Sequence, residues 1–195
     1  PAMLSAAVHY FHYKNNKKIS NLFLFSSDLE SIGKWNAQLF AESLGKNKDK
    51  LGKKVNEGIT PLISIGTNDL HSMAQLYLAG PNDKLTTFVS VKNNNSLIRL
   101  PPLGDYRYLV DDIQEKSLEE IMDAILHGVK NTYRKKYLPF IDIILPNKKE
   151  YTIGKFLQFK MMEVMYLGYL LNVNPFDQPE VELYKKETRK ILRRG

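Results

Sequence analysis

Cysteine is absent from the 195 residues, which excludes a disulfide scaffold and thiolate metal ligation and fits a reducing compartment. Long apolar runs are also missing. The strongest, residues 137–145, falls far short of the roughly 20 residues that cross a bilayer. The start, Pro1-Ala2-Met3-Leu4, lacks the basic region, apolar stretch and cleavage site of a secretory signal, so a cytoplasmic location is expected. There is no Walker loop, no Gly-x-Gly-x-x-Gly, no Gly-x-Ser-x-Gly and no His-Glu-x-x-His. Histidine is scarce, at four residues.

What is present is an ordinary globular composition, 43% apolar and 25% charged, with a net charge of +7. Much of the positive excess sits in the runs 46–54 and 185–194. Both read as solvated basic surface, because no nucleic-acid-binding motif accompanies them. No specific nucleic acid and no membrane is expected as a partner, whereas a small phosphorylated metabolite is compatible with the charge.

The hydrophobic pattern alternates between helical and extended periods, which predicts an α/β fold. Helices are expected over 4–14, from Asp28 or Ser31 to 44 (closed by Gly45), from Asn68 or Asp69 to 79, over 117–133, 152–171 and 180–192. Strands are expected over 20–26, 61–66, 85–92 and 138–145. Ser117 followed by Glu120 reads as a capping box, and Ile32, Trp35, Leu39 and Phe40 as a core-facing stripe. The helix over 152–171 is apolar enough to be buried on most faces. Residues 46–58 read as a basic loop, and 93–105 as an irregular excursion of the kind that serves a site or a subunit contact. One three-layer αβα domain with a mostly parallel central sheet accounts for the whole pattern.

Among the histidines, His9 and His12 lie one helical turn apart without a nearby carboxylate at ligand spacing and read as surface residues; His127 reads as structural or exposed. No metal site is expected. His71 opens a helix just after a predicted strand, where open α/β sheets bind ligands. Glu42 ends another helix, with Gln38 one turn before it.

Three segments carry a resemblance. Residues 35–46 (Trp-Asn-Ala-Gln-Leu-Phe-Ala-Glu-Ser-Leu-Gly-Lys), residues 66–83 (Gly-Thr-Asn-Asp-Leu-His through Gly-Pro-Asn-Asp) and residues 168–185 (Gly-Tyr-Leu-Leu through Phe-Asp-Gln-Pro-Glu and on to Lys185) resemble, in order and separation, three segments of the glucose-6-phosphate isomerase family. The likeness is to the C-terminal sugar-isomerase (SIS) domain, especially of the shorter bacterial type. It implies an SIS-like fold for 1–195 as a single C-terminal domain, with the N-terminal phosphate-binding domain having no counterpart here. Pro1-Ala2-Met3 accordingly reads as the edge of an excised domain. Glu180 stands where the family signature usually has glycine, an exchange expected to affect the loop's backbone angles.

The resemblance further implies interconversion of glucose 6-phosphate and fructose 6-phosphate, in glycolysis and gluconeogenesis, through a cis-enediol(ate) and without metal or other cofactor. It makes Glu42 a buried catalytic base, assigns ring opening to His71 and Lys185, and gives Gln38 and Gln178 substrate-positioning roles. It also implies a homodimer in the full-length enzyme, because in the family the histidine enters the neighbouring subunit's site. The isolated chain is expected to be inactive by itself. A non-catalytic sugar-phosphate-binding or interaction domain of the same fold is the alternative. Trp35 and Tyr77 read as core.

Overall fold

The computed structural model describes residues 1–92, 98–102, 104–109 and 111–193. The elements run α1 (Ala2–Lys14), β1 (Ile19–Leu24), α2 (Glu30–Leu44), β2 (Lys46–Lys48), β3 (Lys54–Glu57), β4 (Thr60–Ile65), α3 (Asn68–Ser72), α4 (Ala74–Ala79), β5 (Lys84–Val91), α5 (Leu118–Lys135), β6 (Phe140–Leu145), α6 (Glu150–Leu170) and α7 (Val181–Leu192). Short 3-10 turns cover Ser27–Leu29, Gly104–Leu109 and Asp111–Ile113.

Four strands form one sheet in the order β4-β1-β5-β6, every neighbouring pair parallel. The fold is thus the expected α/β sandwich. Because side chains alternate along a strand, β1 sends Leu22 and Leu24 to one face and Phe23 and Phe25 to the other. On the first face they meet Val89, Val91 and Leu145 under Phe156 of α6 and Ile32 of α2. On the second, Phe23, Phe25, Phe88 and Phe140 form an aromatic layer against Tyr77 of α4 and Leu126 and Tyr133 of α5. Strand order reverses at β1, so right-handed crossovers put α2 and α5 on opposite faces. A third cluster, Ala6, Tyr13, Phe40, Leu44, Val164 and Leu167, joins α1 and α6 to α2 on the first side.

Several local expectations hold. Ser117 and Glu120 form a reciprocal capping box, with Glu120 N donating to Ser117 Oγ at 3.1 Å and Ser117 N to Glu120 Oε2 at 2.7 Å. Tyr77 is core, and its hydroxyl meets Ser64 Oγ at 2.7 Å. Others are corrected. The basic stretch after Gly45 is an antiparallel hairpin, β2–β3, rather than a loop. The helix expected over 68–79 breaks at Met73 into α3 and α4. Neither Asp28 nor Ser31 caps α2, whose N-cap is Leu29 without a side-chain bond. Gly45 ends α2 at φ −72°, so its contribution is not a left-handed turn; a Cβ there would lie 2.8 Å from the Ala41 carbonyl.

The long helix α6 buries one face, Phe156, Lys160, Glu163, Val164 and Leu167, and leaves Tyr151, Met161 and Tyr169 exposed. His9 is buried, not a surface residue; it belongs to a polar network with Glu163 that only tertiary packing assembles. Residues 93–97 and 103 of the anticipated irregular excursion lie outside the described residues.

Candidate functional site

α2 follows β1 and runs back along the sheet. At its start, Gly33 lies so close to the strands that a Cβ would sit 2.8 Å from Ile63 and Leu24 side-chain carbons. At its end, Gly45 touches Gly58, just ahead of β4; a Cβ on Gly58 would lie 3.4 Å from Gly45 Cα. The carboxyl end of α2, with Gln38 and Glu42, therefore lies at the amino ends of the parallel strands.

There α2 meets the segment that leads into α7. Gly168 of α6 allows Pro175 to pack, since a Cβ at 168 would come within 2.9 Å of the ring. Asn174 then folds the turn: its Oδ1 accepts from Phe176 N at 3.2 Å and its Nδ2 donates to Asp177 Oδ2 at 2.7 Å. A cleft of about 240 Å³ opens between Ala41, Glu42, Gly45, Lys46, Gln178 and Glu180. Gln38 Nε2 donates to Glu42 Oε1 at 3.1 Å, as their spacing of four predicts. The structure thus brings Glu42, Gln38 and Gln178 together.

Lys46 was not singled out by the sequence, where it opens a basic run read as solvated. It is 7% exposed. Its ammonium donates to Glu42 O at 2.7 Å and to Asp177 O, and pairs with Asp177 Oδ1 at 3.4 Å. This one cation satisfies a helix-end carbonyl and ties the carboxyl end of α2 to the turn before Gln178. Beside it, Asn47 Nδ2 donates to Glu180 Oε1. Glu180 adopts φ −68°, in the ordinary right-handed region, so the exchange for glycine imposes no unusual backbone angle here.

Glu42 is exposed in this chain, not buried as expected, and so are Gln38 and Gln178. Lys185 lies on α7 one turn beyond Val181, a cleft-lining residue, and donates to Glu182 Oε1 at 2.8 Å. That bond and the Glu182 charge raise the ammonium above its ordinary range, so it holds its proton more tightly than a free lysine does. His71 is elsewhere. It follows the carboxyl end of β4, in α3, and is exposed. No described residue of α7 is buried, and Leu183, Tyr184, Ile191 and Leu192 are all open to solvent. No cluster of three or more potential metal ligands occurs among the described residues, and no described helix is long and apolar enough to cross a membrane.

The fold and cleft define a doubly wound parallel α/β domain with a carboxylate–amide pair at its amino-terminal edge. No family model matches the chain. It is 34% identical over 192 residues to a protein of Methanococcus maripaludis named as a probable glucose-6-phosphate isomerase, covering 98% of this chain and 41% of that protein. It is 32% identical over 194 residues to the glucose-6-phosphate isomerase of Carboxydothermus hydrogenoformans, covering 100% and 42%. The crystal structure of a glucose-6-phosphate isomerase from Chlamydia trachomatis superimposes with a TM-score of 0.78 at 19% identity, over 97% of this chain and 37% of that one, which supports the fold. The chain is therefore a relative of the glucose-6-phosphate isomerase family over essentially its whole length. It spans about two-fifths of the curated relatives it matches.

Proposed function

We propose that this chain is the C-terminal SIS-type domain of a cytoplasmic glucose-6-phosphate isomerase, and that Glu42 is the base that moves a proton between C2 and C1 of the open-chain sugar phosphate. The observation that carries this reading is the cleft in which Gln38 hydrogen-bonds Glu42 beside Gln178. A carboxylate there can take the C2 proton, leave a cis-enediol(ate), and return the proton to C1. Two amides beside it suit sugar hydroxyls, since each presents both a donor and an acceptor. The chemistry uses the chain's own acid–base groups; no cofactor is invoked.

The open face of Glu42 is filled, in this reading, by the remaining part of the full-length protein, which also grips the phosphate. Covering the carboxylate strips its hydration and strengthens it as a base, while water is kept from the enediolate. Lys185, on α7 one turn beyond the cleft-lining Val181, serves ring opening as a proton-transfer group. His71 acts in the same step from a neighbouring copy of the chain, because its own sheet separates it from Glu42. The isolated chain, without the phosphate grip, turns over negligibly.

The test is Glu42→Gln in the full-length protein, with fructose 6-phosphate in D2O followed by proton NMR. Loss of turnover by about 10²–10⁴-fold, the usual range for a positioned acid–base group, together with loss of solvent-hydrogen exchange at C1 and C2, is the expected result. Normal turnover in the amide variant refutes the assignment.

A further inference from the structure

We infer that the buried group formed by Glu163, Lys160 and His9 is a positioning device for α2, acting through Phe40 to hold Gln38 and Glu42 in register with the cleft; this rests on the reading of Glu42 given above.

Glu163 and Lys160 are 0% and 1% exposed, among the most completely buried side chains of the protein. Two desolvated charges are costly, and well-packed apolar residues in their place are often neutral or stabilising. Stability alone is therefore a weak reason for them. Their contacts leave little freedom. Glu163 Oε2 accepts from Lys160 Nζ, one turn away on α6. Its Oε1 accepts from Ser5 Oγ of α1 and lies 3.3 Å from His9 Nδ1. His9 Nδ1 is also 3.0 Å from Ser5 O, so carbonyl and carboxylate both call for a proton on that nitrogen. His9 Nε2 meets Ser20 Oγ of β1 at 3.1 Å. Burial by itself would raise the Glu163 carboxyl, and the Lys160 ammonium with His9 overrides that and holds it well below the ordinary carboxylate range. The group thus links α1, α6 and β1 through a fixed ion pair.

α2 rests on this group at one ring. Phe40 is fully buried, with the Lys160 ammonium 4.8 Å from its centroid and the His9 ring 5.8 Å away, tilted by 58°. An ammonium over an aromatic face and a tilted imidazole beside it orient that face, which an apolar lining does not. Phe40 is two residues from Gln38 and two from Glu42, about 200° around the helix from each, so it projects from the side opposite the cleft pair. Rotation or sliding of α2 that would misplace Glu42 must first pull Phe40 from between these two partners.

The experiment compares the full-length protein with three variants: Glu163→Gln, the charge-free double variant Lys160→Met with Glu163→Leu, and Phe40→Leu. Turnover of fructose 6-phosphate, thermal unfolding and amide hydrogen exchange along α2 are read for each. Glu163→Gln is expected to lower the Tm, because an ammonium is left buried without its counter-ion. The double variant is expected to recover the Tm, yet to keep a kcat reduced by about ten- to a hundredfold, the scale of a small misplacement of reacting groups, with KM unchanged and α2 amides exchanging faster. Phe40→Leu should give the same kinetic and exchange pattern with the charges intact. Recovery of kcat and α2 protection together with the Tm in the double variant overturns the proposal and leaves a purely structural role. If the double variant does not fold, Phe40→Leu decides alone, and wild-type kcat and protection there overturn it. If the unaltered protein shows no isomerisation, the reading of Glu42 fails, and α2 exchange in the variants still decides whether the buried group positions the helix.

Discussion

Glu42 and His71 stand at opposite ends of the same parallel sheet. Glu42 is at the carboxyl end of α2, where Gly45 touches Gly58 at the amino end of β4; His71 lies past that strand's carboxyl end, in α3. β4 is six residues long, so about 20 Å of strand separates the two ends. No side chain closes that gap within one chain. If both residues serve one reaction, two copies must meet so that the histidine edge of one faces the carboxylate cleft of the other.

That arrangement makes a sharp prediction for mixed dimers. Full-length Glu42→Gln and His71→Ala proteins should each be nearly inactive. After unfolding and refolding together in equal amounts, mixed dimers hold one site with both wild-type residues, restoring about a quarter of wild-type activity for a randomly paired symmetric dimer. An assay of the refolded mixture against each variant refolded alone measures this; no recovery above the separate variants rejects the shared site.

Lys46 is the second target. Its ammonium bonds the carbonyls of Glu42 and Asp177 and pairs with the Asp177 carboxylate, nearly all within the protein. Lys46→Met keeps much of the apolar stem and removes the donors, leaving two carbonyls short of a partner. Urea unfolding of the variant should show a loss of about 2 kcal/mol, within the range for hydrogen bonds to charged groups. A change below about 0.5 kcal/mol, typical of an open surface site, would mean that the clamp contributes little.

The third concerns pH. Burial, then the bond to Glu57, pushes the Tyr13 hydroxyl from its ordinary value of 10.0 up to about 12. The neutral phenol is the form the fold favours. A group whose folded value is raised contributes stability that is whole below its unfolded value and is lost as pH climbs through the folded one. The Tyr13 contribution should therefore be intact up to about pH 10 and fade between about 10 and 12. Thermal unfolding across that window, wild type against Tyr13→Phe, should show a steeper alkaline decline in the wild type. Parallel curves would contradict it.

Much of this architecture was legible in the chain itself. Alternating Leu22, Phe23, Leu24 and Phe25 fixes a strand buried on both faces, and Ser117 with Glu120 marks the start of α5 because both partners of a capping box lie within one turn. The spacing of Gln38 and Glu42 puts two polar groups on one helix face, and their hydrogen bond follows from helix geometry alone. Local patterns of this kind record what neighbouring residues do to one another.

The sequence by itself determined the four strands of the parallel sheet, most of the helices, the three-layer α/β class and the grouping of Gln38 with Glu42, because each depends on periodicity or on partners a few residues away. Tertiary structure alone decided which charges leave water and which ends of the molecule meet. Lys46, Lys160 and Glu163 look like ordinary solvated charges, and become interior only where residues 131, 120 and 158 positions distant or more complete their bonding — Asp177 for Lys46, Phe40 for Lys160 and Ser5 for Glu163. The separation of Glu42 from His71 likewise follows from the direction in which α2 runs back along the sheet, a property of chain path that no local spacing encodes.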